Sequence, residues 1–352
     1  MNVDPLSDVL RCVRLRGGVY FYVTCRDNWV AESPSASETT QAVIPGAENV
    51  VAYHLIAKGD GWATIDGEPP VRVGAGDIVM FPRGDVHVLS RAPGMRAPQQ
   101  IEDQAPPNRE ALPVPISYRN SICLSGVDMP ADESDAVVVC GFIGCDLRPF
   151  NPLIGALPRL IHMPAKEVGA WVAPMLTQAV AESRGRRHGS AAVLERLSEM
   201  VFVDTARRYL ELLPEGHGAG WLAALRDRHV GRAIALLHER VAEPWTVESL
   251  GREVGLSRSA LHERFVELIG EPPMHYLANW RMQVGAKALR DGHATVATIA
   301  QETGYESEAA FARAFKRLVG LPPAAWRRAQ QRDAAAAQPE LRTRDQAGAT
   351  LG

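Results

Sequence analysis

Two cysteines in the first half of the chain could carry out thiol chemistry. Cys25 ends an apolar run beside Arg26, whose positive charge would favour the reactive thiolate. Cys140 ends a second apolar run, and Cys145 follows it closely. If folding brought Cys25 next to Cys140, the pair could form a reversible disulfide and sense redox state. The alternative is that Cys140 is a small buried hydrophobic residue.

Segments 246–273 and 295–323 repeat one pattern of residues. The matched pairs lie 49 or 50 positions apart and include Thr246/Thr295, Glu253/Glu302, Gly255/Gly304, Phe265/Phe315 and Gly270/Gly320. A repeat in register at this spacing indicates one supersecondary unit used twice. A helix, a glycine turn and a second helix form a helix-turn-helix, which places its second helix in the DNA major groove.

The residues that position this second helix also repeat. A threonine precedes the first helix of each unit and can cap its free N–H groups. Gly255 and Gly304 stand where the chain must turn between the helices. The second helix buries residues at i, i+4 and i+7, which are Leu261, Phe265 and Leu268 in one unit and Phe311, Phe315 and Leu318 in the other.

Charge is distributed unevenly along the chain. The net charge of all 352 residues is −3. Residues 224–332 carry 16 Lys/Arg and 12 Asp/Glu, a net of +4, so the remainder carries −7. This asymmetry is typical of a DNA-binding module joined to an acidic sensor.

The composition excludes several classes of protein. The apolar runs are shorter than the roughly 18 residues of a membrane span, and the first residues lack a secretory leader pattern. Five cysteines in 352 residues do not suggest a disulfide framework. We therefore expect a cytoplasmic protein without a membrane partner.

Short apolar segments separated by glycine, aspartate and proline turns dominate the first 160 residues. Strands are predicted near 19–24, 50–57, 62–66, 71–73, 78–82, 86–90 and 134–147, with 1–30 as a lead-in of two short strands and 91–120 as a mobile loop. Such spacing predicts a small barrel or sandwich. The fold class is therefore α+β, a β-barrel followed by an all-α C-terminal domain with two helix-turn-helix units.

The pattern becomes helical after about residue 152. Residues 191–213 carry a broad apolar face that could either form a homodimer interface or cover the barrel. We divide the chain into a sensor barrel (1–160), a helical dimerisation or linker segment (161–220), a DNA-binding domain (221–332) and a disordered tail (333–352). Residues 216–220 are a natural linker.

The C-terminal pattern resembles the DNA-binding domain of the AraC/XylS-type regulators over residues 228–330. The second copy carries the resemblance most closely, through Ile299, Gly304-Tyr305-Glu306-Ser307, Phe311, Phe315-Lys316 and Gly320-Leu321-Pro322-Pro323. The resemblance implies two units joined by a long helix, here about 274–289, with both second helices facing one side of double-stranded DNA.

The same resemblance implies which side chains contact DNA. Base-facing positions are Ser259, His262 and Glu263 in the first copy and Ala309, Ala310 and Arg313 in the second. Arg313 has the chemistry for a bidentate contact with guanine, and alanines could touch thymine methyl groups. The phosphate contacts would be Arg258, Arg264, Lys316 and Arg317. For each charge the alternative is a solvated helix face.

The N-terminal region resembles the cupin-type sensor domain. One cupin motif is kept as Gly76, Pro82, Gly84 and His87, with Arg91 where the family prefers Asn. The other motif keeps His54, while Ala52 occupies another histidine position. A catalytic cupin typically holds a divalent metal with three His and one Glu. Here His54 and His87 would bind metal with help from Cys or another His, or they are two buried, hydrogen-bonded histidines.

These observations predict a sequence-specific DNA-binding transcription regulator, a homodimer whose cupin-like domain senses a small-molecule effector. We expect no catalytic residues. The alternatives are a redox-sensing regulator that uses cysteines, and a metal-dependent cupin enzyme fused to a DNA-binding module. The missing ligands of the cupin motif that contains His54 speak against the enzyme.

Overall fold

The computed structural model of the chain describes residues 4–33, 44, 46–97, 114–120, 122–127, 129–185, 188–213 and 220–336. The strands β1 to β11 are Leu15–Arg26, Val30–Glu32, Asn49–Lys58, Asp60–Ile65, Val71–Gly74, Ile78–Phe81, His87–Ser90, Val114–Arg119, Ile122–Ser125, Ala136–Cys145 and Ile161–Met163. The helices α1 to α12 are Pro5–Cys12, Pro152–Ala156, Val172–Gly185, Ser190–Leu212, Trp221–Arg226, Val230–Glu239, Val247–Val254, Arg258–Ile269, Pro273–Asp291, Val296–Glu302, Glu308–Val319 and Pro323–Ala336.

The strands form two sheets rather than one closed barrel. The larger sheet has the order β11-β6-β3-β10-β1-β8-β9, and the smaller has the order β2-β7-β4-β5. Side chains from both sheets share one apolar core, which includes Val138 of β10 and Ile65 of β4. The α+β class is confirmed, and the N-terminal half is a double-sheet jelly roll.

Strand β10 explains the apolar run seen in the sequence. It lies between β3 and β1, and all of its residues are buried. Val138 and Cys140 face the core between the sheets, whereas Val137 and Val139 face the helices on the other side. Burial on both faces removes the usual alternation of apolar and polar residues.

Helix α4 covers the outer face of the larger sheet. The Tyr53 hydroxyl of β3 lies 2.5 Å from the Ser198 hydroxyl of α4. Gly17 of β1 also approaches α4 closely, because a Cβ there would lie 2.6 Å from the Glu195 carbonyl oxygen. One face of the predicted helix 191–213 therefore covers the sheet.

Both helix-turn-helix units have the predicted caps and turns. The Thr246 Oγ1 accepts a hydrogen bond from the Ser249 N–H at 3.0 Å, and Thr295 caps α10 in the same way. Gly255 and Gly304 adopt left-handed conformations, with φ of 73° and 75°. The turns need glycine because other residues rarely adopt such angles.

Some predicted boundaries differ from the structure. The lead-in is the helix α1 and the long strand β1, not two short strands. Strand β8 begins at Val114, inside the predicted loop, and α12 continues to Ala336, beyond the predicted start of the tail. The middle of that loop, most of the linker 216–220 and residues 337–352 lie outside the described residues. Among the described helices, none combines the length and apolar character of a membrane span.

Candidate nucleic-acid interface and sensor core

Helix α8 buries one face and presents the other to solvent. Leu261 and Phe265 are fully buried in the core of the domain. The predicted DNA-contacting side chains on the opposite face are all exposed, and they are Arg258, Ser259, His262, Glu263 and Arg264. The Ser257 hydroxyl accepts a hydrogen bond from the Ala260 N–H at 3.2 Å and begins the helix.

Arg264 differs from its neighbours because it has a partner within the protein. Its Nε and Nη2 atoms donate to the Asp227 Oδ2 at 2.9 and 2.5 Å. Asp227 also accepts from the backbone N–H groups of His229 and Val230. Burial alone would raise the pKa of Asp227, but these hydrogen bonds lower it below its ordinary value. Arg264 therefore anchors α8 to the segment before α6.

Helix α11 repeats this arrangement in the second unit. Phe311 and Phe315 are buried. Of the predicted contacts, Ala309, Arg313, Lys316 and Arg317 are exposed and Ala310 is half-buried. Arg313 forms no hydrogen bond or ion pair with any residue that the structure describes. Its guanidinium is thus available to a partner outside the protein.

Helix α9 joins the two units and fixes their relative position. Its Arg281 donates to the carbonyl oxygens of Val241 and Glu243, just before the first unit, at 2.8 and 2.7 Å. The same guanidinium lies 5.9 Å from the centre of the Tyr305 ring in the second unit. The 19 residues of α9 span about 28 Å. Adjacent major-groove segments on one face of DNA lie about 34 Å apart, a comparable distance.

In the jelly roll, His54 and His87 lie together in the interior. Their Nε2 atoms are 2.7 Å apart, and both side chains are buried. The Nδ1 of His54 is 3.0 Å from the Cys140 sulfur, and the Nδ1 of His87 is 2.7 Å from the Asp85 carbonyl oxygen. The His87 ring also stacks on Phe81 at 3.7 Å. One series of hydrogen bonds therefore links the Cys140 thiol, His54, His87 and the Asp85 carbonyl.

The donor and the acceptor of each of these hydrogen bonds can be assigned by starting from the Asp85 carbonyl oxygen. The Asp85 carbonyl can only accept, so the His87 Nδ1 carries a proton and its Nε2 accepts from His54. The His54 Nδ1 then accepts from the Cys140 thiol. Burial lowers the pKa of His87 to about 4, and burial and then His87 lower the pKa of His54 well below its ordinary value. Both rings are neutral near pH 7.

The two histidines do not fit a metal site. Their Nε2 atoms point at one another at hydrogen-bond distance, which leaves no room for an ion between them. No group of three or more His, Cys, Asp or Glu side chains among the described residues could hold a metal ion. The arrangement is that of two buried, hydrogen-bonded histidines.

Comparison with known proteins agrees with both halves of the structure. Residues 4–211 match the cupin family, and residues 250–329 match the helix-turn-helix domain family. An AraC-like transcription regulator of Streptomyces lividans is 29% identical over 93% of this chain and 98% of its own length. The HTH-type transcriptional regulator AlkR of Acinetobacter baylyi is 25% identical, over 92% and 99% respectively. The chain belongs to the AraC-type regulators that carry an N-terminal cupin domain.

A solved structure gives a further likeness to this AraC-type regulator. The DNA-binding domain of AdpA, determined in complex with a target DNA, is 27% identical to it. The match covers 32% of this chain and 99% of that one, with a TM-score of 0.30.

Cys25 and Cys140 of this AraC-type regulator do not have the environment that redox sensing requires. In the β1–β10 register Cys25 lies opposite Ala136, four residues along β10 from Cys140. The Cα atoms of the two cysteines are therefore roughly 13 Å apart, whereas a disulfide needs less than about 7 Å. Cys25 is also buried, and burial raises the pKa of its thiol well above the ordinary value. The predicted proximity and thiolate character are both wrong.

Contacts between the halves of the AraC-type regulator were missed by the sequence analysis. The Gln283 and Arg290 side chains of α9 donate to the Cys12 carbonyl oxygen at the end of α1, at 3.1 and 3.2 Å. Gln283 also accepts from the Phe150 N–H at 3.0 Å. Asp4 followed by Pro5 was a sequence signal for the start of α1. No local pattern indicates that α1 would contact α9.

A second missed cluster lies in the core of the DNA-binding half. The Tyr276 hydroxyl accepts from the Trp221 indole at 2.8 Å and lies 2.9 Å from the His238 Nε2. His238 stacks on Trp280 at 3.8 Å, and its Nδ1 faces Asp8 of α1 at 3.5 Å. Burial lowers the pKa of His238, and Asp8 partly opposes that shift. These side chains contribute to the core that joins α1 to the first helix-turn-helix.

Proposed function

We propose that this AraC-type regulator reads two successive major-groove segments of one DNA site through α8 and α11. The observation that supports this proposal is the pair of capped helices with exposed polar faces, held by the single helix α9. Arg313 would donate to guanine, and Ala309 with Ala310 would contact thymine methyl groups. Ser259, His262 and Glu263 would face the bases from α8.

Phosphate contacts would come from the exposed cations beside these residues. Arg258, Lys316 and Arg317 lie on the same solvent-facing sides of the two helices. Arg264 is assigned to Asp227 instead, because that ion pair already uses its guanidinium. The modest charge of the domain favours binding by two copies of the chain, since a dimer doubles the number of phosphate contacts.

A second copy of the chain would bind through the outer face of α4. Met200 and Val203 are exposed in the C-terminal half of that face, with Arg207 beyond them, and this seam ends one turn short of Arg196. Their spacing of three and four residues is that of a helix-pairing seam. Met200→Glu is expected to convert a dimer into a monomer in light scattering, with Leu212→Glu, at an exposed leucine on another face of the same helix, as the control. A monomeric wild-type protein would contradict this assignment.

The cupin domain would act as a sensor of a small effector rather than as an enzyme. It contacts the DNA-binding half where the Cys12 carbonyl of α1 accepts hydrogen bonds from α9. A conformational change in the sensor would therefore be transmitted to α9, the helix that sets the distance between α8 and α11. The pair His54 and His87 does not supply the three-His, one-Glu ligand set of a metal-dependent cupin enzyme, and both rings are buried and hydrogen-bonded to each other.

The experiment that tests the proposal is selection of bound sequences from random double-stranded DNA by the full-length protein. We expect the selected sequences to contain two enriched half-sites, one for each helix-turn-helix unit, about one helical turn of DNA apart. Arg313→Ala should broaden the preference at one position of the motif. Arg72→Ala, an exposed arginine of β5 distant from both helices, is the control. Recovery of random sequences alone would overturn the proposal.

A further inference from the structure

An open cleft lies where the N-terminal half meets the DNA-binding half. One side is formed by α1 and the start of β1, and the other sides come from α4, α9 and α12. Its volume is about 470 Å³, within the range of sites for small organic molecules. Part of its lining is apolar and comes from Leu10, Val13 and Leu15, while Gln330 of α12 contributes an amide.

Arginine is the dominant charged residue of this cleft. Arg11, Arg14, Arg196 and Arg290 line it, against two acids, Glu199 and Asp291. Two further acids, Asp8 and Asp146, pair with Arg11 and Arg290 from beside the cleft. The cleft therefore offers an anion the hydrogen-bond donors of its arginines rather than a large net charge.

The four arginines are not equally engaged. The Arg290 side chain is 15% exposed and contacts the Cys12 carbonyl, Asp291 and Asp146, so it belongs to the structure of the cleft floor. Arg11 and Arg196 are 73% and 77% exposed. Among the described residues, each pairs with a single acid three residues away on its own helix. Exposed pairs of this kind contribute little and rearrange readily.

Arg196 is well placed to change partner. Only its Nη1 contacts Glu199, at 2.9 and 3.2 Å, so its Nε and Nη2 can donate to another group. It lines the cleft from α4, and Arg11 lines the same cleft from α1. Two guanidinium groups in one cleft can hold one oxyanion through charge-assisted hydrogen bonds.

We propose that this cleft binds a small organic anion, a carboxylate or a phosphate. Arg11 and Arg196 hold the anionic group, and Leu10, Val13 and Leu15 contact the apolar part of the molecule. This inference rests on the proposed function, because the bound anion is the effector of the sensor half. An anion here contacts both α4 and the neighbourhood of α9, so it favours one arrangement of the two halves over others.

Loss of the Glu199 charge should change the affinity for the anion in the opposite direction from loss of an arginine. Its carboxylate occupies the same Arg196 guanidinium that the ligand needs. Replacement of Glu199 by glutamine removes this competing charge and should tighten anion binding several-fold. Replacement of Arg196 by glutamine removes a charge-assisted contact and should weaken binding at least about tenfold.

The test is calorimetric titration of the full-length protein with benzoate, phenyl phosphate and the neutral analogue benzamide. We expect saturable binding of at least one anion and not of benzamide, and the two anions separate carboxylate from phosphate recognition. Binding should weaken in Arg196→Gln and tighten in Glu199→Gln. It should be unchanged in Arg72→Gln, a control arginine of similar exposure paired with Asp60. Equal binding of benzamide, no binding of either anion, or weaker binding by Glu199→Gln would overturn the proposal.

Mobility shifts with the selected DNA site separate this inference from the proposed function. Binding of DNA by wild type, with an affinity that changes when the anion is added, supports both. Binding of DNA by a protein that binds neither anion rejects the cleft as an effector site and leaves the DNA-binding function intact. Absence of DNA binding with saturable anion binding rejects the proposed function and also the effector role.

Discussion

Gly285 of α9 lies directly against the ring of Phe311 in α11. A Cβ at position 285 would come within 2.8 Å of the Phe311 Cζ and 2.9 Å of its Cε2. Phe311 is fully buried, so its ring has little space in which to move. The backbone of α9, which joins the two units, is therefore packed directly against a core side chain of α11, with no space for a methyl group between them.

Gly285→Ala should destabilise the second unit even though alanine is the better helix former. Overpacking costs about 1–3 kcal/mol, against a gain of about 1 kcal/mol in helix propensity. The expected readout is a lower urea midpoint and faster hydrogen exchange in α11. Gly155→Ala is the matched control, because a Cβ at that helical glycine would meet nothing within 4 Å. A Gly285→Ala protein as stable as the Gly155→Ala protein would show that Phe311 can move aside.

Arg313 and Lys316 should differ in how they affect DNA binding. Arg313→Ala should cost about 1–3 kcal/mol at the preferred site and much less at a site with the contacted base changed. Lys316→Ala should weaken both sites alike and reduce the salt dependence of affinity by about one unit of slope. Mobility shifts over a salt series measure both effects. Identical behaviour of the two variants would reject the division into base and phosphate contacts.

The buried histidines should make the sensor half sensitive to acid. An unfolded histidine has a pKa of about 6.5, whereas the pKa of folded His87 is about 4. Between these values the unfolded state takes up a proton that the folded state does not, so stability falls as pH falls. Each such histidine contributes at most about 1.4 kcal/mol per pH unit, and the contribution is fully present above about pH 6.5.

Urea denaturation at several pH values measures this slope. His87→Gln removes one titrating group while glutamine can still accept from His54, so the stability of this variant should depend less steeply on pH. His262→Gln changes an exposed histidine of α8 and is the control. A His87→Gln protein with the wild-type slope would contradict the assignment.

Thiol reactivity should follow exposure rather than the pairing suggested by the sequence. Cys123 is half-buried, whereas the other four cysteines are buried. We expect iodoacetamide to modify Cys123 first, and mild oxidant to form no disulfide between Cys25 and Cys140. Peptide mapping under non-reducing conditions provides the measurement. A Cys25–Cys140 peptide in that map would restore the redox hypothesis.

The helix-turn-helix units could be predicted closely because their determinants are local. Thr246, Gly255 and Gly270 each act on residues within one or two turns, and all three recur in the second copy. Strand β10 was found for the same reason, since its apolar run is continuous. Local patterns of this kind are visible in a sequence without knowledge of the fold.

Relationships between distant segments could not be predicted in this way. The separation of Cys25 from Cys140 depends on the β1–β10 register, which neither strand specifies alone. The pairing of Arg264 with Asp227 likewise joins α8 to a segment 37 positions earlier in the chain. Exposure alone could not distinguish Arg264 from Arg313, because both are exposed on their helices.

The contact between α1 and α9 has a consequence for synthesis of the protein. The Cys12 carbonyl and its donor Gln283 are 271 positions apart. At about 5–20 residues per second, a ribosome needs about 14–54 s to travel that distance. During this interval the jelly roll can form while the apolar side of α1, including Leu6 and Val9, still lacks its partner helix. Helix α1 thus stays without its α9 contacts until synthesis has passed Gln283, and its apolar side is open to chaperones during that time.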